Sequence, residues 1–165
     1  MEVRVDGWKK AIRFSSAHAT LNLGKCERLH GHTYVIHANV QGEVDNRRVV
    51  FDFVELTRAL RQIADELDHF ILVPTKGAPA ILVQVQGEEV HMTAQGTKYV
   101  LPRRDCFLLP TATSTAEDLV QYIHEQVQAR VKWPPNVTRV ELGVDEGYGQ
   151  GAWIIWEPAK KGGRR

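Results

Sequence analysis

The sequence predicts an α+β fold built on an antiparallel sheet. Three observations predict it. Stretches in which apolar and polar residues alternate come in hairpin-like pairs, over residues 8–43 and 137–156. Two other stretches repeat apolar residues at helical spacing, over 53–67 and after Ser114. Strands paired through short turns, with helices set between the pairs, form an antiparallel sheet rather than a parallel one.

Residues 8–18 read as a strand, because Ile12, Phe14, Ser16 and His18 share one parity and line one face. Residues 30–43 read as the second strand, with His30, His32, Tyr34, Ile36, Ala38 and Val40 on a common face. A polar turn at 43–48 follows, and Val49-Val50-Phe51 resumes as a strand that ends at Asp52. Phe53, Leu56, Leu60, Ile63 and Leu67 then form one apolar helical stripe. Asp52 fits its N-cap, and Glu55 sits at the third helical position, a variant of the capping box. Asp68 and His69 fall where that helix ends.

Short strands at 81–85, 90–93 and 98–101 are separated by the turn signals Gln86-Gly87-Glu88 and Ala94-Gln95-Gly96. They predict a small β-meander embellishing the main fold. Ser114-Thr115-Ala116-Glu117 reads as a capping box opening a second helix, with Leu119, Ile123 and Val127 facing in. Pro134-Pro135 ends it. Residues 137–145 and 152–156 are the last strands, joined by Gly147-Tyr148-Gly149-Gln150-Gly151.

A length of 165 residues favours one domain and buries roughly 70% of the unfolded surface. Hydrophobic residues are 43% and charged residues 25%, which excludes whole-chain disorder or a fibre. The net charge of +1 lacks the basic excess of a nucleic-acid binder. No apolar run reaches the ~20 residues of a membrane span. Residues 1–6 lack the apolar core of a signal peptide, so the expected compartment is the cytosol. There a disulfide between the two cysteines, Cys26 and Cys106, is not expected. Cys106 lies in an apolar run and reads as core; the basic end at 160–165 reads as a frayed terminus.

The chemistry concentrates in Cys26-Glu27-Arg28-Leu29-His30-Gly31-His32. His30 and His32 are two apart, so on a strand they point to one side and grip one ion together. If the first two strands pair, His18 converges with them. Three imidazoles with an open fourth position are the layout of a catalytic zinc site, though iron and nickel accept the same ligands. Two roles stay open for Cys26: a fourth ligand closing a structural site, or a base or nucleophile beside an open metal. Asp68-His69 reads either as a histidine oriented for proton transfer or as a favourable helix end. Glu146, closing a strand before a glycine-rich turn, reads on pattern alone as solvated. His37, His91 and His124 read as ordinary histidines.

Phe14-Ser15-Ser16-Ala17-His18, Cys26-x-x-x-His30-Gly31-His32, Asp52-Phe53-x-x-Leu56, Leu67-Asp68-His69 and Thr115-x-Glu117 occur in that order. Together they resemble the 6-pyruvoyl-tetrahydropterin synthase family, which includes the 6-carboxy-tetrahydropterin synthases of the queuosine pathway. The resemblance spans residues 12–155. It implies the tunnelling fold: a four-stranded antiparallel sheet with two helices on one face, here with an insertion at 70–113 within a single domain, 1–165. It further implies trimers stacked into a hexamer, with active sites between subunits.

Carried onto this sequence, the resemblance implies zinc held by His18, His30 and His32, and Cys26 as the catalytic thiolate. Asp68 and His69 become a second acid/base pair supplied by a neighbouring subunit. Glu146 anchors the pterin ring, with Thr115 and Glu117 near it. Ala116, Gly147 and the 70–113 insertion depart from the family pattern, which bears on the substrate pocket rather than on the metal. The implied substrate is 7,8-dihydroneopterin triphosphate. Its conversion yields 6-carboxytetrahydropterin, acetaldehyde and triphosphate, or the 6-pyruvoyl compound where the substrate's tail is not cleaved. A pterin aldolase and a zinc-stabilised, non-enzymatic oligomer are the competing readings.

Overall fold

The structure is a computed structural model that describes residues 1–77 and 80–158. The basic end at 160–165 lies outside the described residues.

The alternation that begins at His30 produces the longest strand, β3 (His30–Gly42), and the sheet is built around it. In element order, β1 (Glu2–Val5) and β2 (Arg13–His18) both run antiparallel to β3, β2 along its first half and β1 along its second. On its other side lies β9 (Val137–Glu146), which forms a hairpin with β10 (Gly151–Trp156).

Residues 8–18 are not one strand. A single helical turn, α1 (Gly7–Lys10), interrupts them. The Asp6 carboxylate accepts the Lys9 N–H, and Ala11 closes the turn in the left-handed region, at φ 51°. Gly7 packs directly on β3: a Cβ there would lie 2.1 Å from the Ile36 carbonyl oxygen. Residues 49–51 are likewise not a strand but a bend, with Val50 and Phe51 buried.

Helix α2 (Phe53–Leu67) starts at Asp52, whose Oδ1 accepts the Val54 N–H at 2.8 Å. Its buried stripe runs through Leu56, Leu60, Ile63 and Leu67, whereas Phe53 is half exposed. Helix α3 (Ala116–Arg130) buries Leu119, Ile123 and Val127 as expected. Its start differs from the expected box. The Thr115 hydroxyl does not cap the helix, and Asp118 instead reaches back to accept the Thr113 N–H at 2.7 Å and its hydroxyl at 2.6 Å. α2 packs on β2 and α3 on β9 and β10, so both helices cover one face.

Two strands carry no alternation and escaped the sequence reading. β4 (Ile71–Pro74) runs parallel to β2, and β8 (Cys106–Leu109) runs parallel to β4. Among the described residues the main sheet therefore has seven strands, ordered β10-β9-β3-β2-β4-β8 with β1 beside β3, and is mixed at one end. Leu72 and Leu109 face the helices. Val73 and Cys106 face the meander of β5 (Ile81–Gln86), β6 (Glu89–Ala94) and β7 (Thr97–Pro102), against Ile81, Val90 and Met92. A strand buried on both faces reads as a continuous apolar run. The segment 70–113 is thus more than an inserted meander, because its two ends extend the main sheet. Among the described residues no helix is long and apolar enough to cross a membrane.

Candidate metal centre and active site

The antiparallel register sets His18 opposite His30 and Ser16 opposite His32, while Tyr34 stands opposite Glu146 on the other side of β3. Residues two apart on a strand share a face, so three imidazoles and one carboxylate meet at this end of the sheet. Ring centroids of His18, His30 and His32 lie 4.7–5.2 Å apart. One ligand atom from each histidine and one from Glu146 all fall within 4.8 Å of one another.

Two of the rings are oriented from behind. His18 Nδ1 lies 2.7 Å from the Ser114 carbonyl, and His30 Nδ1 lies 2.7 Å from the Arg28 carbonyl. A carbonyl only accepts, so each Nδ1 carries the hydrogen and each Nε2 turns its lone pair inward. Burial holds the His32 imidazolium below its usual range, against the pull of the Glu146 carboxylate and with the repulsion of the other two rings. Burial raises the Tyr34 phenol, whose O–H remains a donor to Glu146 Oε1 at 3.4 Å.

The donor set fits a metal cation. His18 is fully buried, and its Nε2 has no directed hydrogen bond. That lone pair nevertheless lies 2.9 Å from Glu146 Oε1, and His32 Nε2 lies 3.2 Å from the same oxygen. Acceptors facing acceptors repel unless a cation sits among them. One ion shared by three neutral imidazoles avoids the repulsion of several buried protons.

Cys26 lies in a 3-10 turn (Gly24–Glu27) and is half-buried. The Thr20 N–H and hydroxyl both donate to its carbonyl, at 3.0 and 2.9 Å. Its sulfur is not among the four clustered ligand atoms. Thr115, Glu117 and Glu146 line a common cavity of about 230 Å³ with Thr20, Leu23 and Gln150. Larger hollows, of about 590, 530 and 480 Å³, lie away from the histidine cluster.

Asp68 and His69 form a contact of 2.6 Å between Oδ2 and Nδ1. The other Asp68 oxygen accepts the Ser15 N–H at 2.7 Å, and the His69 N–H donates to the Ser15 carbonyl at 2.7 Å. Burial acts to raise the Asp68 carboxyl, but the Ser15 amide and His69 together bring it below its ordinary value. His69 adopts a left-handed backbone, at φ 63°, and its imidazole is 83% exposed. It borders a separate hollow of about 430 Å³ that His32 also lines.

The sequence reading missed the supporting groups: the Ser114 and Arg28 carbonyls, Thr20 and Tyr34. Only Tyr34 left a signal, through its shared parity with His30 and His32. His37 accepts from the Gly7 N–H, His91 pairs with Glu89, and His124 packs on Trp156. None of them belongs to the cluster.

An α+β subunit that gathers three imidazoles and a carboxylate beside a polar cavity has the make-up of a metal-centred enzyme. The family profile described as 6-pyruvoyl tetrahydropterin synthase matches residues 8–154, and the protein belongs to that family, whose members are lyases. A Methanocaldococcus jannaschii protein named "Putative 6-carboxy-5,6,7,8-tetrahydropterin synthase" is 31% identical over 155 residues, 92% of this sequence and 94% of that one. A Pyrococcus horikoshii protein of the same name is 29% identical, over 73% of this sequence and 71% of its own. The 6-pyruvoyltetrahydropterin synthase of Plasmodium vivax superposes with a TM-score of 0.87 at 26% identity, covering 96% of this sequence and 98% of that one. The tunnelling fold read from the resemblance is therefore the fold of this protein, with more strands than the four expected.

Proposed function

We propose that this protein, a single domain, converts 7,8-dihydroneopterin triphosphate to 6-carboxytetrahydropterin with loss of acetaldehyde and triphosphate, in queuosine-type deazapurine biosynthesis. The observation that carries the reading is the convergence of His18, His30 and His32 in a protein matched nearly end to end by a relative named for that product. His18, His30 and His32 would hold Zn2+, which as a Lewis acid stabilises negative charge developing on a substrate oxygen.

The protein's own residues do the rest. Cys26 lies outside the ligand cluster, which supports a thiolate that removes a C–H proton from the substrate's tail rather than one that closes the metal. Glu146 accepts hydrogen bonds from the pterin amino group and ring N–H, with Thr115 and Glu117 lining the same cavity. Anchoring the ring fixes the tail for reaction. His69, held by Asp68, moves protons to and from the tail's oxygens. Its exposure supports a role at a neighbouring subunit's site, in a hexamer of two trimers. Two unpaired cysteines fit a reducing cytosol.

Incubation of the metal-loaded protein with the triphosphate, followed by mass spectrometry, tests the reading. 6-Carboxytetrahydropterin with acetaldehyde is the expected result. The 6-pyruvoyl product would move the protein to the sister activity, and no turnover would leave a zinc-stabilised oligomer. Over 56 residues, 34% of this sequence and 47% of that one, the protein is 38% identical to a dihydroneopterin monophosphate aldolase of Pyrococcus furiosus. The monophosphate therefore belongs in the same assay.

A further inference from the structure

We infer that the meander of β5, β6 and β7 positions the thiol of Cys26, by bracing the loop that carries it through Gln95 and Leu21. This role deepens, and rests on, the reading of Cys26 as the base.

Cys26 lies on the connection between β2 and β3, residues 19–29. Asn22, Leu23, Gly24 and Lys25 at its tip are exposed. Asn22 and Gly24 both adopt the left-handed region, at φ 55° and 62°. An exposed connection of this kind opens at little cost unless other parts of the chain hold it. Holding it matters, because a group displaced by about 1 Å loses on the order of 10²-fold in rate.

The loop is held at its root, its neck and its tip. At the root, the Ser114 hydroxyl donates to the Ala19 carbonyl at 3.2 Å. At the neck, the two donations from Thr20 to the Cys26 carbonyl close the loop on itself. The tip is held by the meander. Leu21 packs against the meander's core, and Gln95 Nε2 donates to Asn22 Oδ1 at 3.0 Å. Leu21 and Asn22 directly follow Thr20, so what fixes them also fixes the neck beside Cys26.

The meander's own sequence carries a mark of this role. β6 and β7 pair Ala94 with Thr97, which leaves Gln95-Gly96 as a two-residue turn. Both residues have positive φ, 48° and 81°, as a type I′ turn requires. Asparagine, aspartate and glycine suit its first position; glutamine does not. A residue that breaks a local rule points to a gain elsewhere. Here the longer side chain spans the gap to Asn22. Its backbone is tied down, with the Gln95 N–H donating to the Ala80 carbonyl at 3.1 Å. Behind it β6 buries Val90, Met92 and Ala94, so the brace stands on a packed support. Leu21 and Gln95 are positioning residues, and neither lines the cavity of Thr115 and Glu117.

The test replaces Gln95 with asparagine. Gln95→Asn supplies the pair the turn favours but is one methylene too short to keep the contact with Asn22. Urea unfolding should show no loss of stability, and metal should remain bound. Iodoacetamide then reports on the loop of the metal-loaded protein, with each cysteine followed by mass spectrometry. Cys26 should react faster by roughly 2–10-fold, the worth of one net hydrogen bond, and kcat should fall by a similar factor. Cys106, buried beneath the meander, should react no faster than before. An unchanged Cys26 rate, or an unchanged kcat in a protein that Cys26→Ala inactivates, overturns the inference. A parallel rise at Cys106 overturns it too, because the whole meander would then have opened. Alkylation does not depend on catalysis, so the two levels separate. If Gln95→Asn frees the thiol while Cys26→Ala turns over normally, the brace stands and the reading of Cys26 as the base fails. If Cys26→Ala is inactive while Gln95→Asn leaves alkylation unchanged, only the brace fails.

Discussion

The histidine cluster and the Asp68–His69 pair both lean on β2, yet they are built oppositely. His18 is fully buried, its second nitrogen held by Ser114, its first facing the rest of the cluster. His69 has its Nδ1 held just as closely by Asp68, but its ring is 83% exposed. The cluster is assembled by strand pairing within the one chain. The pair is oriented by Ser15 but opens onto solvent. Burial, more than hydrogen bonding, separates the two.

The largest effect that sharpens this contrast is expected at the buried ring. His18→Ala should empty the metal site and leave the Ser114 carbonyl unpaired in the interior. That orphaned acceptor costs about 1–3 kcal/mol. Metal analysis and urea unfolding should show both losses together; a stable, metal-replete variant would break the contrast.

Cys26→Ala should keep the metal and lose turnover by roughly 10²–10⁴-fold, the usual worth of a general base. Metal content and rate, measured on one preparation, decide it. Loss of zinc in this variant would return Cys26 to the role of ligand.

His69→Asn is expected to be milder for the fold. Asparagine tolerates the left-handed backbone, and an exposed substitution shifts stability by no more than about 0.5 kcal/mol. Metal should stay bound while turnover falls by about 10²-fold or more. Mixing Cys26→Ala with His69→Asn subunits should restore part of the activity if each site borrows from its neighbour. No recovery after verified subunit exchange would assign both groups to one subunit's site.

The smallest effect concerns Asp68. Its carboxyl titrates below the ordinary range when folded, so its stabilisation is complete above the unfolded value near about 3.9. That stabilisation fades as pH falls through the folded value. Asp68→Asn should therefore lower stability slightly at neutral pH and flatten the acid limb, with the two proteins converging in strong acid. The carboxylate is over a third exposed, so solvent screening keeps the difference small. Urea midpoints across the acid range measure it.

The two missed strands show a second contrast, between one-sided and two-sided burial. β3 keeps a wet face along much of its length, so its alternation predicted it. β4 and β8 lie between the helices and the meander, and their apolar runs hold no period that separates strand from anything else. Residues 8–18 failed differently. Asp6 and Gly7 carry a cap and a close approach, and the parity of Ile12 to His18 drew the strand too far back. Phe53 matched the helical stripe, yet it lies at the exposed first turn of α2.

What the sequence determined by itself was local and periodic: β3, the hairpin of β9 and β10, two helices, the meander, and the parity that puts His30 and His32 on one face. Tertiary structure decided what depends on partners far apart in sequence. It paired β2 with β3 so that His18 met the other two rings. It turned the Nε2 atoms of His18 and His30 inward through backbone carbonyls that no residue pattern reveals. It also brought Glu146, 112 residues from Tyr34, to the edge of the cluster. Spacing encodes the faces of a strand, but only packing encodes which faces meet.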